Sequence, residues 1–405
     1  MEQASQAVLV VNCGSSSLKY EVYLMPEGKS LGKGLVERIG TDKGNFEQKS
    51  EKGEIRLEQP IADHAAAMDL VKNGLVDPAK GIITSLSDIK GVGHRVLHGG
   101  EKFSEPVVIN DEVIAVIEDC IKLAPLHNPA NLMGIRESIR LFPKAQQVAV
   151  FDTALHQTMP RASYLYALPY ELYEKHHIRR YGAHGTSHRF VYFEAVRYLK
   201  RSPENTNIIT IHLGNGCSMA AVKEGKCLDT SMGLSPLEGL VMGTRSGDID
   251  PQIIFCLISL GYKPADIDVM LNKKSGLLGM TGLSNDMRDV YKASTEGNQK
   301  AIDALDVFAH RIRHYIGAYL LELGRVDAIV FTGGIGQWAW HARERILKGL
   351  EGAGICLDYD VNKKNMSQLG TISQPYSQIP ILVVPTNEEL QIAKDSYEFF
   401  RGSKN

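Results

Sequence analysis

Several features that mark common protein classes are missing from this sequence of 405 residues. The formal net charge is only −2, so no strong field favours binding to nucleic acid or to an anionic membrane. The N-terminal residues show no basic segment followed by a long apolar stretch, and no apolar run approaches the ~20 residues that span a membrane. We therefore expect a cytoplasmic protein without nucleic-acid or membrane partners.

Cysteine is scarce and scattered, with six residues and no C-x-x-C pair. A disulfide framework or a zinc site built from paired cysteines would show regular, close spacings. We therefore expect reduced thiols in a reducing compartment. The six positions are Cys13, Cys120, Cys217, Cys227, Cys256 and Cys356.

The signatures of several catalytic classes are also absent. The sequence has no G-x-x-x-x-G-K-[ST] of P-loop proteins, no H-R-D or D-F-G of protein kinases and no complete G-x-G-x-x-G of Rossmann dehydrogenases. No G-x-S-x-G marks a hydrolase nucleophile. His184 and His188 are spaced like zinc ligands, but the catalytic glutamate of H-E-x-x-H does not lie between them, which argues against a zinc site.

Short apolar runs rich in β-branched residues recur along the chain, each ending at a glycine or a turn. Such runs predict buried strands, and helical stretches lie between them, of which residues 301–323 followed by Gly324 are the clearest. Strands that alternate with helices predict an α/β fold, and a chain longer than roughly 300 residues predicts two domains. The apolar runs are residues 8–14, 91–100, 147–152, 207–216, 328–336 and 379–387.

Residues 8–23 and 208–226 share one pattern of strand, small-residue turn and strand. The repetition predicts a duplicated domain with a phosphate-binding hairpin in each half, and the alternative is that two unrelated hairpins look alike. We predict an N-terminal domain of residues 1–152 plus 390–405, which includes a C-terminal helix. The remaining residues, 153–389, are predicted to form a nucleotide-binding domain.

Three turns rich in small residues follow predicted strands, at residues 12–17, 212–218 and 333–336. A turn of this kind lets backbone N–H groups approach an anion closely. The first turn adds three serine hydroxyls, and Lys19 follows it, so a phosphate or a hydrated metal fits there. One such turn is also explained as an ordinary hairpin, but three together favour phosphate binding.

Charged and polar residues lie where predicted strands end. Ligands in open α/β sheets collect outside the carboxyl ends of the strands, so these residues are expected to converge. An arginine fork can clamp a carboxylate or a phosphoryl group better than lysine can. The alternatives are a surface ion pair for either arginine and a helix N-cap for the aspartate. The residues are Arg95, Asp152, His184 and Arg245.

Ten segments together make a more specific resemblance. The sequence resembles the acetokinase family from Val8 to about Asp395, within the larger group that shares the sugar kinase, Hsp70 and actin fold. The matching segments, in order, are NCGSSSLKYE, GHRVLHGGEKF, LAPLHNPANL, FDTALHQTMP, YGAHGTSHR, HLGNGCSMAAV, MGLSPLEGLVMGTRSGDIDP, KKSGLLGMTG, FTGGIG and PTNEEL.

The resemblance implies reversible phosphoryl transfer from ATP to acetate, which gives acetyl phosphate and ADP. It also implies Mg²⁺, with Mn²⁺ as a substitute, a homodimer, and two duplicated domains with the site in an interdomain cleft. Two alternatives stay open. One is a propionate or butyrate kinase of the same family, and the other is a catalytically silent, nucleotide-gated binding protein on the same fold.

Matching the family motifs position by position implies roles for single residues. The catalytic positions are Asp152, His184 and Arg245; the metal positions are Asn12 and Glu388; the acid-substrate positions are Arg95, Leu97, Leu126 and Pro236. The nucleotide positions are Lys19, His212, Leu213, Gly214, Asn215, Gly216, Asp286, Met287, Arg288, Gly334, Ile335, Gly336, Gln337 and Trp338.

The chain departs from the family pattern in two places. Many members carry valine where Leu97 stands, which predicts a tighter pocket that prefers acetate to longer acids. The family usually reads G-G-I-G-E-N where this chain has Gln337 and Trp338 after the glycines. Three readings of Trp338 remain open: it stacks on adenine, it fills the pocket and favours a smaller donor such as pyrophosphate, or it packs with Trp340.

Overall fold

A computed structural model describes residues 5–125, 127–365 and 367–401 of the chain. The described residues form an α/β fold with two mixed sheets, as predicted. The strands are β1 Gln6–Cys13, β2 Ser17–Met25, β3 Lys29–Glu37, β4 Thr41–Ser50, β5 Gly53–Ile61, β6 Ile89–Val96, β7 Val107–Val108, β8 Gln146–Phe151, β9 Asn207–Leu213, β10 Cys217–Lys223, β11 Lys226–Thr230, β12 Ala328–Thr332, β13 Gly370–Thr371 and β14 Ile381–Val383.

Helices connect and cover these strands. Within the described residues, none of the helices combines the length and the apolarity needed to cross a bilayer. The α-helices are α1 His64–Leu75, α2 Asp111–Asp119, α3 Asn128–Leu141, α4 Arg161–Tyr164, α5 Glu171–His176, α6 Gly185–Tyr198, α7 Gln252–Ser259, α8 Pro264–Lys273, α9 Gly276–Thr281, α10 Met287–Thr295, α11 Gln299–Leu323, α12 Gly333–Trp338, α13 Trp340–Leu347, α14 Tyr359–Lys364 and α15 Glu388–Tyr397.

The chain divides into two compact units. The first unit contains the residues up to Ala154 and those from Asn387 onward, and the second contains Leu155–Thr386. Glu388 and α15 therefore belong with the first unit.

The first unit is built on an eight-stranded sheet with the order β5-β4-β3-β2-β1-β6-β8-β7. Strand β1 is antiparallel to β2 and parallel to β6, and β6 is parallel to β8. Parallel neighbours need crossover connections, and these contain α1 before β6 and α3 before β8. The short β7 closes the edge in the antiparallel direction.

The second unit repeats this plan in a six-stranded sheet with the order β11-β10-β9-β12-β14-β13. Strand β9 is antiparallel to β10 and parallel to β12, and β12 is parallel to β14. The short β13 is antiparallel to β14, as β7 is to β8. The five strands β3-β2-β1-β6-β8 and β11-β10-β9-β12-β14 thus share order and direction, which confirms the predicted duplicated fold.

The two predicted hairpins occupy equivalent places in the two sheets. In β1–β2 the turn is residues 14–16, and the Gly14 N–H donates to the Ser17 carbonyl at 2.8 Å. In β9–β10 the turn is residues 214–216, and the Gly214 N–H donates to the Gly216 carbonyl at 3.0 Å. The sequence echo therefore reflects a shared supersecondary unit.

Helix α11 matches the clearest helical prediction. The Asn298 side chain caps its first turn by accepting from the Ala301 N–H, and Gly324, with φ of 69°, follows its last residue. The predicted apolar stripe faces the core because its members recur every three or four residues. Its buried members are Leu305, Phe308, Ile312, Ile316 and Leu323, and Leu320 is half-buried.

One face of the first sheet is covered by α15 and carries the side chains of the site. Glycines make the close contact possible, since a Cβ added to Gly93 would lie 2.4 Å from Ser396 in α15, and one added to Gly91 would lie 2.1 Å from Phe400, three residues after the helix. Side chains alternate between the faces of a strand, so Arg95 follows Gly91 and Gly93 on this face, beyond the packed part of the helix.

Candidate active site

An arginine between two carboxylates marks the ends of the parallel strands in the first unit. The Arg95 Nε and Nη2 atoms donate to Asp152 Oδ2 at 3.0 and 2.7 Å, and Nη1 lies 3.5 Å from Glu388 Oε2. Arg95 is the second-last residue of strand β6, Asp152 directly follows β8, and Glu388 begins α15. The structure therefore brings together three residues that lie far apart in the sequence.

The charges of this cluster perturb each other. Burial alone would lower the pKa of Arg95, but the carboxylates of Asp152 and Glu388 raise it above its ordinary value. Burial is also the largest influence on Glu388; together with the nearby Asp152 it raises the pKa of Glu388, against the opposing effect of Arg95 and Lys19. Two carboxylates thus share one guanidinium, and a further cation would stabilise the charged form of Glu388.

Asn12 and Lys19 lie on the same face of the sheet. They are directly paired across β1 and β2, and Asn12 follows Val8 and Val10, which pack against α15. Direct cross-strand partners have Cβ atoms about 5 Å apart, so the amide and the ammonium stem are neighbours. Lys19 is exposed, whereas Asn12 is half-buried. Both predicted contacts therefore lie next to the turn 14–16.

The predicted acid-substrate pocket is only partly described. Leu97 follows β6 directly, is half-buried, and its N–H donates to the Asn131 Oδ1 at 3.0 Å. Pro236 belongs to the second unit and is also half-buried. Leu126 lies outside the described residues. The methyl pocket therefore stays a prediction.

The turn 214–216 of the second unit lies against two of the predicted catalytic side chains. A Cβ added to Gly216 would lie 3.3 Å from His184 Cε1 and 3.4 Å from Arg245 Nη1. Glycine at this position therefore lets an imidazole and a guanidinium approach the turn from outside. His184 precedes α6 in the left-handed conformation, with φ of 57°, a conformation that few non-glycine residues adopt.

Arg245 differs from Arg95 in its partners. Its Nη1 donates to the Pro236 carbonyl at 3.2 Å and lies 3.4 Å from the Met242 sulfur. Among the residues that the structure describes, no carboxylate lies within ion-pair distance of it. Burial lowers the pKa of Arg245, and Cys217 opposes this effect only in part. An anion near Gly216 would supply the missing counter-charge.

Behind His184 lies a network of buried side chains that the sequence did not reveal. His184 Nδ1 is 2.9 Å from the Ser218 hydroxyl, which is 2.7 Å from His188 Nε2, and His188 Nδ1 is 2.7 Å from the Thr210 hydroxyl. Burial, then the neighbouring His156 and His212, lower the pKa of His188 well below its ordinary value. The spacing of His184 and His188 was the available signal, because residues four apart share a helix face.

The predicted nucleotide segments come together around the same turn. Strand β12 pairs with β9 so that Thr332 is opposite His212, and a Cβ on Gly333 would lie 2.6 Å from the Leu213 carbonyl oxygen. Asn215 Oδ1 accepts from the Asn285 amide at 2.9 Å, which ties the turn to the beginning of α10. The segments 212–216, 286–288 and 334–338 are therefore neighbours.

Asp286 and Arg288 form a local pair within these segments. The Asp286 side chain caps α10, and its Oδ2 accepts from Arg288 Nη2 at 2.6 Å. The hydrogen bond to Arg288 lowers the pKa of Asp286. The guanidinium remains exposed to solvent, so it stays open to a ligand. Met287, between them, is buried and anchors the helix.

Gln337 and Trp338 occupy the end of α12. The Gln337 Oε1 accepts from the Ser367 hydroxyl at 2.8 Å, which holds the glutamine side chain. Trp338 is 54% exposed, and within the described ranges no ring contact joins it to Trp340, which instead meets Tyr291 and His341. This exposure gives no support to the reading in which the two tryptophans pack together, and the choice among the three readings stays a prediction. The residues Gly334, Ile335 and Gly336 form the preceding turn of the helix.

The repeated five-strand order and the small-residue turns at its strand ends define a class of protein. The chain is a duplicated α/β protein with the sugar kinase, Hsp70 and actin fold. The comparison with known sequences is more specific, because the sequence model of the acetokinase family matches residues 7–394. The chain belongs to the acetokinase family.

Close relatives extend over nearly the whole chain. An acetate kinase from Treponema denticola is 52% identical over 391 residues, which covers 96% of this chain and 98% of the relative. An acetate kinase from Clostridium botulinum is 51% identical over 392 residues, with the same two coverages.

Solved structures give the same result. The crystal structure of Porphyromonas gingivalis acetate kinase matches with a TM-score of 0.93 and 46% identity, covering 98% of this chain and 100% of that one. A propionate kinase from Francisella tularensis matches with a TM-score of 0.91 and 44% identity, covering 97% and 99%.

Proposed function

We propose that this protein catalyses the reversible transfer of the γ-phosphoryl group of ATP to acetate. An acetate oxygen attacks the γ-phosphorus, the new carboxyl-oxygen-to-phosphorus bond forms, and the bond from phosphorus to the bridging oxygen of ADP breaks. The products are acetyl phosphate and ADP. Family membership and relatives that carry the name acetate kinase support this choice.

The observation that carries the proposal is the contrast between Arg95, near the end of β6, and Arg245, in the loop between β11 and α7. Arg95 is held by carboxylates and presents a fixed fork, whereas Arg245 lies beside a glycine turn without a carboxylate partner in the described residues. A fixed arginine suits the recognition of a planar carboxylate, and an uncompensated arginine suits a phosphoryl group that accumulates negative charge. We assign Arg95 to acetate and Arg245 with His184 to the phosphoryl group.

Charge neutralisation, rather than proton removal, is the main task of such a site. Acetate is already ionised near neutral pH, so no general base is needed. The two hydrogen bonds from Arg95 to Asp152 instead make Asp152 a positioning residue for the arginine. His184 and Arg245 would stabilise the equatorial oxygens of the phosphoryl group in the transition state of the transfer.

The residues of the first cluster also fit a hydrated Mg²⁺ or Mn²⁺. Among residues 5–125, 127–365 and 367–401, no group of three or more His, Cys, Asp or Glu side chains forms a ready-made metal cage. Mg²⁺ usually takes one or two carboxylates together with water and substrate phosphates, and Glu388 and Asn12 supply such oxygen donors. The raised pKa of Glu388 fits a carboxylate that gains from a nearby cation. The ion would neutralise charge on the phosphate oxygens.

The decisive test is formation of acetyl phosphate from acetate and ATP with Mg²⁺ by purified protein, measured as hydroxamate. The propionate kinase neighbour makes propionate the second candidate, so kcat/KM for acetate, propionate and butyrate should be measured side by side. Nucleotide binding without any acyl phosphate from all three acids would instead indicate the silent binding protein. Phosphoryl transfer from pyrophosphate but not from ATP would overturn the ATP assignment.

We also propose a homodimer, in which a second copy covers α7. None of the residues of α7 is buried, although its sequence QIIFCLIS is largely apolar, and Phe255 is 59% exposed. Leu260 and Tyr262 extend this exposed apolar surface. Phe255→Asp should convert the protein to monomers in sedimentation, whereas Leu321→Asp, at an exposed position on α11, should not. A dimer that survives Phe255→Asp would refute this face.

We propose a cytoplasmic location on the evidence of the cysteines. All six are free thiols, and Cys13, Cys120, Cys217 and Cys227 are buried. Burial raises the pKa of Cys120 to about 11 and that of Cys13 and Cys217 to about 12, so these thiols are inert. Fractionation of the native cells would test the location directly.

A further inference from the structure

A chain of three hydrogen bonds connects His184 to the interior of the second sheet. Thr210, His188 and Ser218 are fully buried, and the successive distances from Thr210 to His184 are 2.7, 2.7 and 2.9 Å. Each link joins a hydroxyl to a ring nitrogen, so either atom could donate. The protons in the chain must nevertheless point in one consistent direction, because each hydroxyl carries one proton and a neutral imidazole carries one.

A backbone carbonyl favours one direction. The Thr210 hydroxyl lies 3.3 Å from the Ala220 carbonyl oxygen, which can only accept, and a Thr210 proton that points there leaves the hydroxyl oxygen to accept from His188. Thr210 then accepts from Nδ1–H of His188. Burial keeps His188 neutral, so its Nε2 carries no proton and accepts from the Ser218 hydroxyl. The Ser218 oxygen in turn accepts from Nδ1–H of His184.

We infer that Thr210, His188 and Ser218 are positioning residues that hold the Nδ1 proton of His184 toward Ser218 and direct its Nε2 to the reaction. This inference rests on the proposed function only for its catalytic consequence. In the neutral ring, Nε2 carries a lone pair and cannot donate to a phosphoryl oxygen. His184 therefore donates there only as the imidazolium, which adds a full positive charge beside Arg245.

The first test is spectroscopic and needs no activity. Protein labelled with ¹⁵N in histidine is recorded at a pH where His184 is neutral, and its signals are assigned by their loss in His184→Gln. The wild-type ring should carry its proton on Nδ1. A proton on Nε2 would overturn the inference.

The second variant, Thr210→Val, changes a residue that does not touch His184. It removes only the hydroxyl that accepts from His188. The His188 proton should then move to Nε2 and donate to Ser218, whose own proton turns to Nδ1 of His184. The His184 proton should therefore move to Nε2 although three hydrogen bonds separate the two residues. Thr210→Ser keeps the hydroxyl and is the matched control. An unchanged His184 tautomer in Thr210→Val would refute the relay.

The second test is the pH profile of kcat. Wild-type kcat should fall as alkaline pH removes the imidazolium, whereas Thr210→Val, with a neutral Nε2 donor, should lose this dependence. We expect Thr210→Val to be about tenfold slower at low pH, since charged hydrogen bonds are roughly twice as strong as neutral ones. The other titratable and charged groups near the ring are His212, with ring centroids 4.5 Å apart, His188 through Ser218, and Arg245 across Gly216.

The two tests separate two kinds of failure. If the wild type transfers no phosphoryl group to any acid, the proposed function is wrong, and the ¹⁵N spectra still decide the relay. If the wild type is active and the kcat ratio of Thr210→Val to wild type does not change with pH, the catalytic consequence is refuted. A parallel loss of kcat and of thermal stability in both Thr210 variants would indicate a merely structural role.

Discussion

The two units share a strand order but present different chemistry where the central strands end. In the first unit, Arg95 is locked between the carboxylates of Asp152 and Glu388. In the second, a glycine turn is surrounded by histidines, hydroxyls and Arg245, with neutral hydrogen bonds in place of ion pairs. Two sheets with the same strand order can thus carry either a preformed cluster of a cation with carboxylates or a cationic cluster without a counter-charge.

The two arginines differ in their counter-charges because different parts of the chain surround them. Helix α15 begins next to Arg95 and brings Glu388 with it, so the guanidinium has counter-charges before any ligand arrives. In the second unit, Gly216 has no side chain, and the space is taken by His184 and Arg245. Phosphate chemistry needs unsatisfied positive groups, whereas binding of a small carboxylate needs a rigid arginine fork.

The largest expected effects come from removing the two arginines. Arg95→Ala and Arg245→Ala should each lower kcat/KM by about 10²–10³, because each removes a preorganised charged donor. Only Arg95→Ala should also lower the free energy of unfolding, by about 3 kcal/mol, because it removes the guanidinium that is paired with the buried carboxylate of Asp152. Coupled assays and chemical denaturation measure both quantities.

The lysine substitutions serve as controls for the arginine variants. Arg95→Lys keeps a charge near Asp152 and should recover most of the stability but little of the activity, because lysine has no planar fork. Equal losses of stability in Arg95→Ala and Arg245→Ala would break the contrast between a compensated and an uncompensated arginine. Near-normal turnover in either alanine variant would remove that arginine from the site.

The next effect concerns the size of the acid. Leu97 directly follows β6 and is half-buried two residues beyond Arg95. Leu97→Ala should raise kcat/KM for propionate relative to acetate by ten- to a hundredfold, because one misfitting methylene is worth roughly 1–3 kcal/mol. The nucleotide KM should not change, since the nucleotide segments lie in the second unit. Equal kcat/KM for all acids in the wild type would refute a tight pocket.

A smaller effect is expected in the pH dependence of stability. Burial lowers the pKa of His94 to about 4, so the folded protein leaves it neutral where the unfolded chain, with a pKa of about 6.5, binds a proton. The neutral, buried His94 therefore contributes a stability that is fully present above about pH 6.5 and is lost as the pH falls toward 4. It amounts to about 2 kcal/mol between pH 6.5 and 5, at about 1.4 kcal/mol per pH unit. His94→Gln should flatten the slope.

His341 provides the counterpart in the second unit. Burial, then Arg343 and Arg345, lower its pKa to about 4, so His341→Gln should flatten the slope there. Both tryptophans, Trp338 and Trp340, belong to the second unit, so their emission follows its unfolding while circular dichroism follows both units. Exposed His310→Gln is the control. If His94→Gln alters the tryptophan transition as much as His341→Gln does, the units unfold together.

The smallest effect is expected at Trp338. Because the indole ring is exposed, it can stack on adenine, and such stacking contributes roughly 1–3 kcal/mol to the free energy of binding. In a Trp340→Phe background, ADP should quench the emission of Trp338, and Trp338→Asn should weaken ADP binding about five- to tenfold. Trp338→Phe should retain the affinity because it keeps an aromatic face. Unaltered emission, together with unchanged nucleotide KM in Trp338→Asn, would refute stacking.

Much of the fold could be predicted because its central strands are apolar on both faces. The predicted runs at 8–14, 91–100 and 147–152 correspond to β1, β6 and β8, and α11 follows its apolar spacing. Strands β3, β4 and β5 were not predicted, because glycine and polar residues fill some of the buried positions in β3 and β4, and most residues of β5 are exposed. In β4, Gln48 is buried and accepts from the Tyr20 hydroxyl at 2.6 Å, so hydrophobicity gave no signal.

The sequence by itself determined the α/β class, the duplication, the small-residue turns and the place of Arg95 near the end of a strand, because these depend on local pattern and chain order. The prediction that Arg245 also lies at a strand end was wrong, because Arg245 belongs to the loop between β11 and α7. Only the tertiary structure decided that Asp152 and Glu388 share Arg95, and that Ser218 and Thr210 stand behind His184. These contacts join residues far apart in sequence, and single serines, threonines and acids have no periodicity. Their hydrogen bonds, and hence the protonation of the site, follow from three-dimensional packing alone.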